Sequence, residues 1–206
     1  MSSAVRVVPA SASHVDAYLA LEFEIAWAYR RFVFGDSGTA AAIQRRLFEN
    51  QASEFAPPHA LIALVGDELA GMYAALSGVE LRQRRMKEAL TVARAAVGQA
   101  DSGFAARSRL AARVMLPVAD DAFYLSRIAV TERYRGRSIG RQLVDHVLAA
   151  GTSLGLRSCS LDVEPSNQAA LRLYRAAGFS EEKISAVVDP DTGRELSYAR
   201  LVRSLA

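Results

Sequence analysis

The residues best suited to chemistry form a run of arginines and glycines in the second half of the chain. They are Arg135, Gly136, Arg137, Ser138, Ile139, Gly140 and Arg141. A β-branched segment precedes the run and apolar residues at helical spacing follow it, which predicts a strand, a loop and a helix. Free N–H groups at a helix start, the positive end of its dipole and the arginines all attract anions. The loop is therefore predicted to bind a phosphate or pyrophosphate, although glycines at a helix start also serve turn geometry alone.

This loop resembles the Arg/Gln-x-x-Gly-x-Gly/Ala signature of the GCN5-related N-acetyltransferases (GNAT). In that family, successive loop amides hold the pyrophosphate of acetyl-coenzyme A (acetyl-CoA). Arg135 matches the first position and Gly140 the last, whereas Ser138 stands where the middle glycine is usual. A Cβ is tolerated there without strain only if the backbone keeps a negative φ. A second block, Leu161 to Phe179, looks like the family's strand and helix ending in Leu-Tyr-x-x-x-Gly-Phe.

The resemblance implies roles for three polar residues of the second block. Tyr174 corresponds to the tyrosine that protonates the departing thiolate, and the ordinary pKa values of a phenol, near 10, and a thiol, near 8.5, allow that transfer. Asp162 takes the position of a catalytic glutamate in the ribosomal-protein N-terminal acetyltransferases, so we predict that it is the general base, directly or through a water. Other members of the family place their base on the central strand, where this sequence offers Ser126, a poor base. Asn167 either caps the following helix or bonds the pantetheine arm. A half-buried aromatic is the structural alternative for Tyr174.

The same resemblance implies an α/β (α+β) fold with a central, mixed but mostly antiparallel sheet of about seven strands. Helices flank this sheet, which splays between strands 4 and 5. The main chain of Ile128, Ala129 and Val130 on strand 4 is implied to pair with pantetheine in the gap. Apolar alternation and turn residues independently predict strands near 5–9, 59–65, 69–76, 121–130, 157–164, 179–188 and 195–203.

Residues 80–118 depart from a minimal member of the family. Their composition predicts two helices inserted before the central strand, with a break at Gly98 to Gly103. The insertion holds eight basic and three acidic side chains, a net charge of +5, whereas the whole chain carries +3. Three roles are open for this charge. It forms a solvated face, it helps to bind the phosphates of CoA, or it steers an acidic acceptor or partner to the site.

Length and composition favour one domain over residues 1–206. The chain has 51% hydrophobic residues, and its apolar runs are far shorter than the roughly 20 residues of a membrane span, so we expect a soluble cytoplasmic protein without a membrane partner. A single cysteine, Cys159, excludes an internal disulfide and favours a core position, and no metal site is expected. The small net charge, and the lack of regular aromatic interleaving among the arginines of residues 80–118, argue against nucleic acid as a partner.

The predicted function is transfer of an acetyl group from acetyl-CoA to a primary amine of a small-molecule or peptide acceptor. A catalytically silent domain that senses acyl-CoA is the alternative. Trp27, Tyr29 and Phe32 lie at helical spacing and either line the acceptor pocket or pack in the core, as such aromatics more often do. The sequence leaves the acceptor open, and also whether the protein is a homodimer.

Overall fold

The computed structural model describes residues 5–25, 27–35, 39–49, 53–54, 59–96 and 103–205. The strands within these residues are β1 (Val5–Pro9), β2 (Ala60–Val65), β3 (Glu68–Ser77), β4 (Ala122–Val130), β5 (Ser158–Val163), β6 (Ser180–Val188) and β7 (Glu195–Ser204). They form one sheet in the order β1-β2-β3-β4-β5-β7-β6, in which the β4–β5 pair is parallel and the other pairs are antiparallel. The predicted fold class, a mixed and mostly antiparallel sheet, is confirmed.

Helices cover both faces of this sheet. They are α1 (Val15–Ile25), α2 (Trp27–Phe34), α3 (Thr39–Glu49), α4 (Gly78–Ala96), α5 (Phe104–Val114), α6 (Ile139–Ser153) and α7 (Gln168–Ala176). On one face, Leu143 of α6 and Leu171 of α7 join a core with residues of β3, β4, β5 and β7. On the other face, α1 to α5 contribute clusters that include Tyr18, Phe32 and Leu81. Among the described helices, none is long and apolar enough to cross a membrane.

The sheet is open between β4 and β5. These strands pair only at their starts, from Ala122 with Ser158 to Leu125 with Leu161. A register shift between β3 and β4 leaves Ser126 of β4 without a partner in β3. This irregularity is a β-bulge, and bulges bend strands. β4 then runs on to Val130 paired with β3 alone. The two strands therefore separate beyond Leu125, as the family resemblance implied.

The predicted insertion is present as α4 and α5. Its predicted break at Gly98 to Gly103 lies, apart from Gly103 itself, outside the described residues. α5 packs closely on the rest of the protein, because Ala111 and Val114 share a core cluster with Phe32 of α2 and Ile43 of α3. The insertion is therefore joined to the helices that lie beside it.

The arginines of α4 bind neighbouring segments. Arg84 donates to the Ser53 carbonyl at 3.1 Å. Arg85 pairs with Glu54 at 3.5 Å, and the two side chains are only 28% and 5% exposed. A solvated face is therefore the wrong interpretation for Arg84 and Arg85, which fasten α4 to the segment before β2.

Candidate active site

A cleft of about 1030 Å³ opens where β4 and β5 separate. Most of the residues predicted from the sequence line it: Ile128, Ala129, Val130, Arg135, Gly136, Ser138, Ile139, Gly140, Arg141, Asp162, Asn167 and Tyr174. Arg137 does not line the cleft, and its guanidinium lies 5.4 Å from the centre of the Tyr134 ring. The fold thus brings β4, the loop before α6, the end of β5 and α7 together at one place.

The loop before α6 leaves a run of N–H groups without backbone acceptors. Gln142 is the first residue to donate back into the helix, to the Ser138 carbonyl at 3.1 Å. Within the described part of the chain, the N–H groups from Gly136 to Arg141 have no backbone acceptor. Successive free N–H groups at a helix start, with one residue in the left-handed conformation, form the concave sites that bind anions. The geometry therefore suits a pyrophosphate.

Ser138 has a left-handed backbone, with φ of 61° and ψ of 11°. Among the described residues, no other non-glycine residue has a positive φ. The condition for an unstrained side chain at this position, a negative φ, is therefore not met. A side chain in this conformation costs roughly 1–2 kcal/mol. The loop keeps the backbone shape that a glycine would adopt and stores local strain in doing so.

The positive charges of the loop are tied to acidic side chains. Arg135 pairs with Glu24 of α1 at 2.7 Å and also donates to the Val130 carbonyl at 3.1 Å. Arg141 pairs with Asp145 one helical turn away at 2.9 Å. Both pairs are about half exposed, and such pairs typically contribute less than about 1 kcal/mol. A bound phosphate could therefore compete for these arginines at low cost.

Gly140 and Asn167 shape the walls of the cleft. A Cβ at Gly140 would lie 3.3 Å from Leu173 Cδ2, so the glycine lets α6 approach α7 closely. The Asn167 side chain accepts a hydrogen bond from the Ala170 N–H at 3.1 Å and caps α7. The capping interpretation of Asn167 is therefore correct, and the residue also lines the cleft.

Tyr174 lies with its side chain almost wholly buried, at 5% exposure. Its ring meets Phe179 edge to face, with 5.8 Å between ring centres. Burial raises the pKa of the Tyr174 phenol well above its ordinary value, and the nearby Cys159 raises it further. Among the described residues, none forms a hydrogen bond with its hydroxyl. Tyr174 therefore stays protonated at neutral pH and can serve as a proton donor.

Asp162 has both carboxylate oxygens bound. Arg200 donates to them through two nitrogens, at 2.8 and 2.9 Å, and the Tyr124 hydroxyl donates at 2.9 Å. Arg200 also donates to the carbonyls of Leu116 and Pro117 and is only 3% exposed. These three donors occupy three of the roughly four lone-pair sites of the carboxylate. This arrangement argues against the predicted general base and favours a role in positioning β5, β7 and the segment before β4.

The cleft also contains residues that the motifs did not single out. They are Tyr29 of α2, Met115 just after α5, Tyr124 and Arg127 of β4, Glu164 just after β5 and Tyr198 of β7. Arg127 pairs with the buried Glu22 at 2.8 Å. Burial raises the pKa of Glu164 above its ordinary value, and burial likewise raises the pKa values of Tyr29 and Tyr198.

Part of this second group had a signal in the sequence. Alternation along β5 places Glu164 on the same face as Asp162. Tyr29 was one of three aromatic candidates, of which Phe32 lies in the core and the Trp27 side chain falls outside the described residues. Tyr198 lies in a different hairpin and has no local signal.

Comparison with known proteins identifies the family. The sequence profile of the Acetyltransferase (GNAT) family matches residues 22–179. The ribosomal protein bS18-alanine N-acetyltransferase of Escherichia coli (strain K12) is 35% identical over 88 residues, which are 42% of this chain and 60% of that protein. The match thus spans about 60% of the length of this relative.

Solved structures share the whole fold. An N-acetyltransferase from Staphylococcus aureus Mu50 superposes with a TM-score of 0.71 at 18% identity, over 96% of this chain and 100% of that one. A Bacillus subtilis acetyltransferase in complex with CoA gives 0.53 at 16% identity, over 98% of each chain. At these identities the likeness concerns the fold alone. The matched family profile, which covers most of the sequence, shows that the chain belongs to the GNAT acetyltransferase family.

Proposed function

We propose that this protein transfers an acetyl group from acetyl-CoA to a primary amine. The observation that carries the proposal is the meeting of three features at one cleft: the separated β4, the loop of free N–H groups and Tyr174. Membership of the acetyltransferase family supports the activity. The relative from E. coli is named for an alanine of ribosomal protein bS18, which supports an amine as the acceptor.

The residues present fit acetyl-CoA. We assign its pyrophosphate to the free N–H groups from Gly136 to Arg141, with Arg135 adding positive charge. We assign the pantetheine arm to the main chain of residues 128–130, whose edge toward β5 is unpaired. Asn167 can donate its amide N–H to this arm while its oxygen caps α7. When bound there, acetyl-CoA supplies the activated acetyl thioester.

We assign Tyr174 as the general acid. Attack of the amine nitrogen on the thioester carbonyl forms a C–N bond and breaks the C–S bond, and the departing thiolate needs a proton. The Tyr174 phenol holds a proton at neutral pH because burial raises its pKa. We assign Asp162 to the wall of the cleft, because it holds Tyr124 and Arg200 in place.

Two measurements test the proposed function. Calorimetry should show that acetyl-CoA binds the wild type and that Gly140→Asp weakens this binding strongly, since the new carboxylate would lie against the pyrophosphate. Release of the CoA thiol should then be measured with panels of peptides, amino acids, polyamines and aminoglycosides. No binding of acetyl-CoA would refute the proposal. Binding without thiol release from any panel would instead support the silent sensor.

A further inference from the structure

Most of the charged side chains that line the cleft form an ion pair, and one of them does not. These charged side chains are Glu24, Arg127, Arg135, Arg141, Asp162 and Glu164. Glu24 pairs with Arg135 and Arg141 with Asp145. Arg127 pairs with Glu22, and Asp162 with Arg200. Among the described residues, Glu164 is the one charged group of the cleft without an ion pair or a hydrogen bond to its side chain, so this part of the cleft has an uncompensated negative charge.

Tyr198 lies beside Glu164, and Tyr29 lies near Tyr198. Val163 pairs with Ala199 across β5 and β7, which brings Tyr198 beside Glu164 one residue further on. Burial is the main cause of the raised pKa of Tyr198; the charge of Arg127 lowers this pKa, whereas Glu164 and Tyr29 raise it, so Tyr198 lies between Glu164 and Tyr29 in this part of the cleft. All three line the cleft. A carboxylate beside aromatic rings is a common arrangement for binding an organic cation.

Glu164 also suits proton transfer better than Asp162. The oxygens of Asp162 accept hydrogen bonds from Arg200 and Tyr124, whereas the half-buried Glu164 carboxylate lines the cleft and accepts none from the described residues. Burial destabilises the charged form of a carboxylate and therefore makes the carboxylate a stronger base. The position just after β5, where β4 has already separated, places this group within the opening itself.

We propose that Glu164, Tyr29 and Tyr198 form a subsite that binds the acceptor as an alkylammonium ion, and that Glu164 takes the proton that frees its nitrogen for attack. The inference rests on the proposed acetyl transfer and names the acceptor class: a primary amine that is mostly cationic at neutral pH.

The proton transfers balance as follows. The ammonium gives one proton to Glu164, and the neutral nitrogen attacks the thioester. Tyr174 then protonates the thiolate, and a second proton from nitrogen restores the phenol. The products are the amide, the free thiol and one proton, which Glu164 releases to solvent.

Benzylamine and hydroxylamine separate this role from a merely structural one. At pH 7 benzylamine is almost wholly cationic and hydroxylamine is largely neutral. Glu164→Gln should lower kcat/KM for benzylamine by about 10²–10³-fold, as expected for loss of a general base, and for hydroxylamine by less than about 10-fold. Glu164→Asp should restore part of the benzylamine rate. Glu181→Gln, on the exposed edge of β6, is the matched control and should change neither rate.

Binding tests the same subsite without turnover. In the CoA-loaded protein, NMR titration should show that Glu164→Gln weakens binding of benzylammonium about 10-fold and leaves binding of benzyl alcohol unchanged. Equal losses for both amines, or unchanged binding of benzylammonium, would overturn the inference. So would a wild type that does not bind benzylammonium at millimolar concentration. Failure of acetyl-CoA to bind in calorimetry is a separate outcome, which would refute the proposed acetyl transfer.

Discussion

At the residue scale, Tyr174 is placed for one proton transfer. Its phenol is buried and has no bond to another described side chain, so replacing it removes little packing. Tyr174→Phe should lower kcat by about 10–10³-fold and leave the Kd of acetyl-CoA almost unchanged, as expected for loss of a general acid. Steady-state kinetics and calorimetry measure the two quantities. Tyr73→Phe is the control, because the Tyr73 hydroxyl bonds His146 and does not line the cleft. Equal losses of kcat in both variants would contradict the assignment.

Ser138 offers a prediction about stability. Its φ of 61° is strained for serine and ordinary for glycine. Ser138→Gly should raise the free energy of unfolding by about 0.5–1 kcal/mol, because the relief of strain exceeds the added entropy of the unfolded chain. Urea denaturation measures this difference. At Ser166, whose φ is not positive, the same substitution should lower stability by about 0.4–1 kcal/mol. A loss of stability in both variants would show that the Ser138 side chain compensates its own strain.

Site residues that belong to a local sequence motif could be predicted, whereas contacts between residues far apart in the sequence could not. The loop, Asn167 and Tyr174 belong to local motifs, so the family resemblance already implied that they share one cleft. The contact of Asp162 with Arg200 could not be predicted, because Arg200 lies 38 residues away and comes close only through the pairing of β5 with β7. The strain at Ser138 was missed because a serine carries no sign of its backbone angles.

At the scale of elements, α4 depends on a buried polar contact with the segment before β2. The Ser53 hydroxyl donates to Glu88 Oε1 at 2.6 Å, and the Glu54 N–H donates to the same oxygen. Burial first, and then the charge of Glu54, raise the pKa of Glu88 to about 7. Folded Glu88 therefore keeps a proton at pH values where the unfolded chain has lost it. By linkage, its contribution to stability is fully present below its ordinary pKa of 4.5 and is lost as the pH rises through about 7.

Glu88→Gln should remove this pH dependence. Both hydrogen bonds end on Oε1, which glutamine keeps, while the buried charge disappears. At pH 8 the variant should be more stable than the wild type by about 1–3 kcal/mol, and near pH 4 the two should be similar. Urea denaturation at both pH values checks this, with the exposed Glu181→Gln as a control that should show no difference. A variant less stable than the wild type at pH 8 would mean that the Glu88 charge is stabilising.

The elements themselves were more predictable than their contacts. Periodicity and turn residues predicted β4, β5 and the insertion helices in the right order, because these patterns are local. The partners of Arg84 and Arg85 could not be predicted, since residues 53 and 54 come close to α4 only in the folded chain. A high density of arginine suggested a solvated or steering surface, and two of these side chains instead form polar contacts with the segment before β2.

At the scale of the whole molecule, the insertion and the sheet share one core. Ala111 and Val114 of α5 are buried with Phe32 of α2 and Leu196 of β7. Met115, which follows α5, lines the cleft itself. We therefore propose that residues 1–206 form a single domain in which the insertion supports the acceptor side of the site. A chain of this kind should unfold in one cooperative transition.

Val114→Ala tests this cooperativity. Val114 is 1% exposed, and removing two buried methyl groups should destabilise the protein by about 1–3 kcal/mol. If the chain is one domain, the free energy of opening measured by hydrogen exchange at Val144 of α6 should fall by the same amount, although α6 lies on the opposite face of the sheet. Val188→Ala, at a side chain 55% exposed on β6, should change both quantities by less than about 0.5 kcal/mol. If Val114→Ala leaves the hydrogen-exchange protection of α6 unchanged, the insertion unfolds separately from α6. The destabilisation of α5 would then not lower the free energy of opening of the helix that begins at the anion-binding loop.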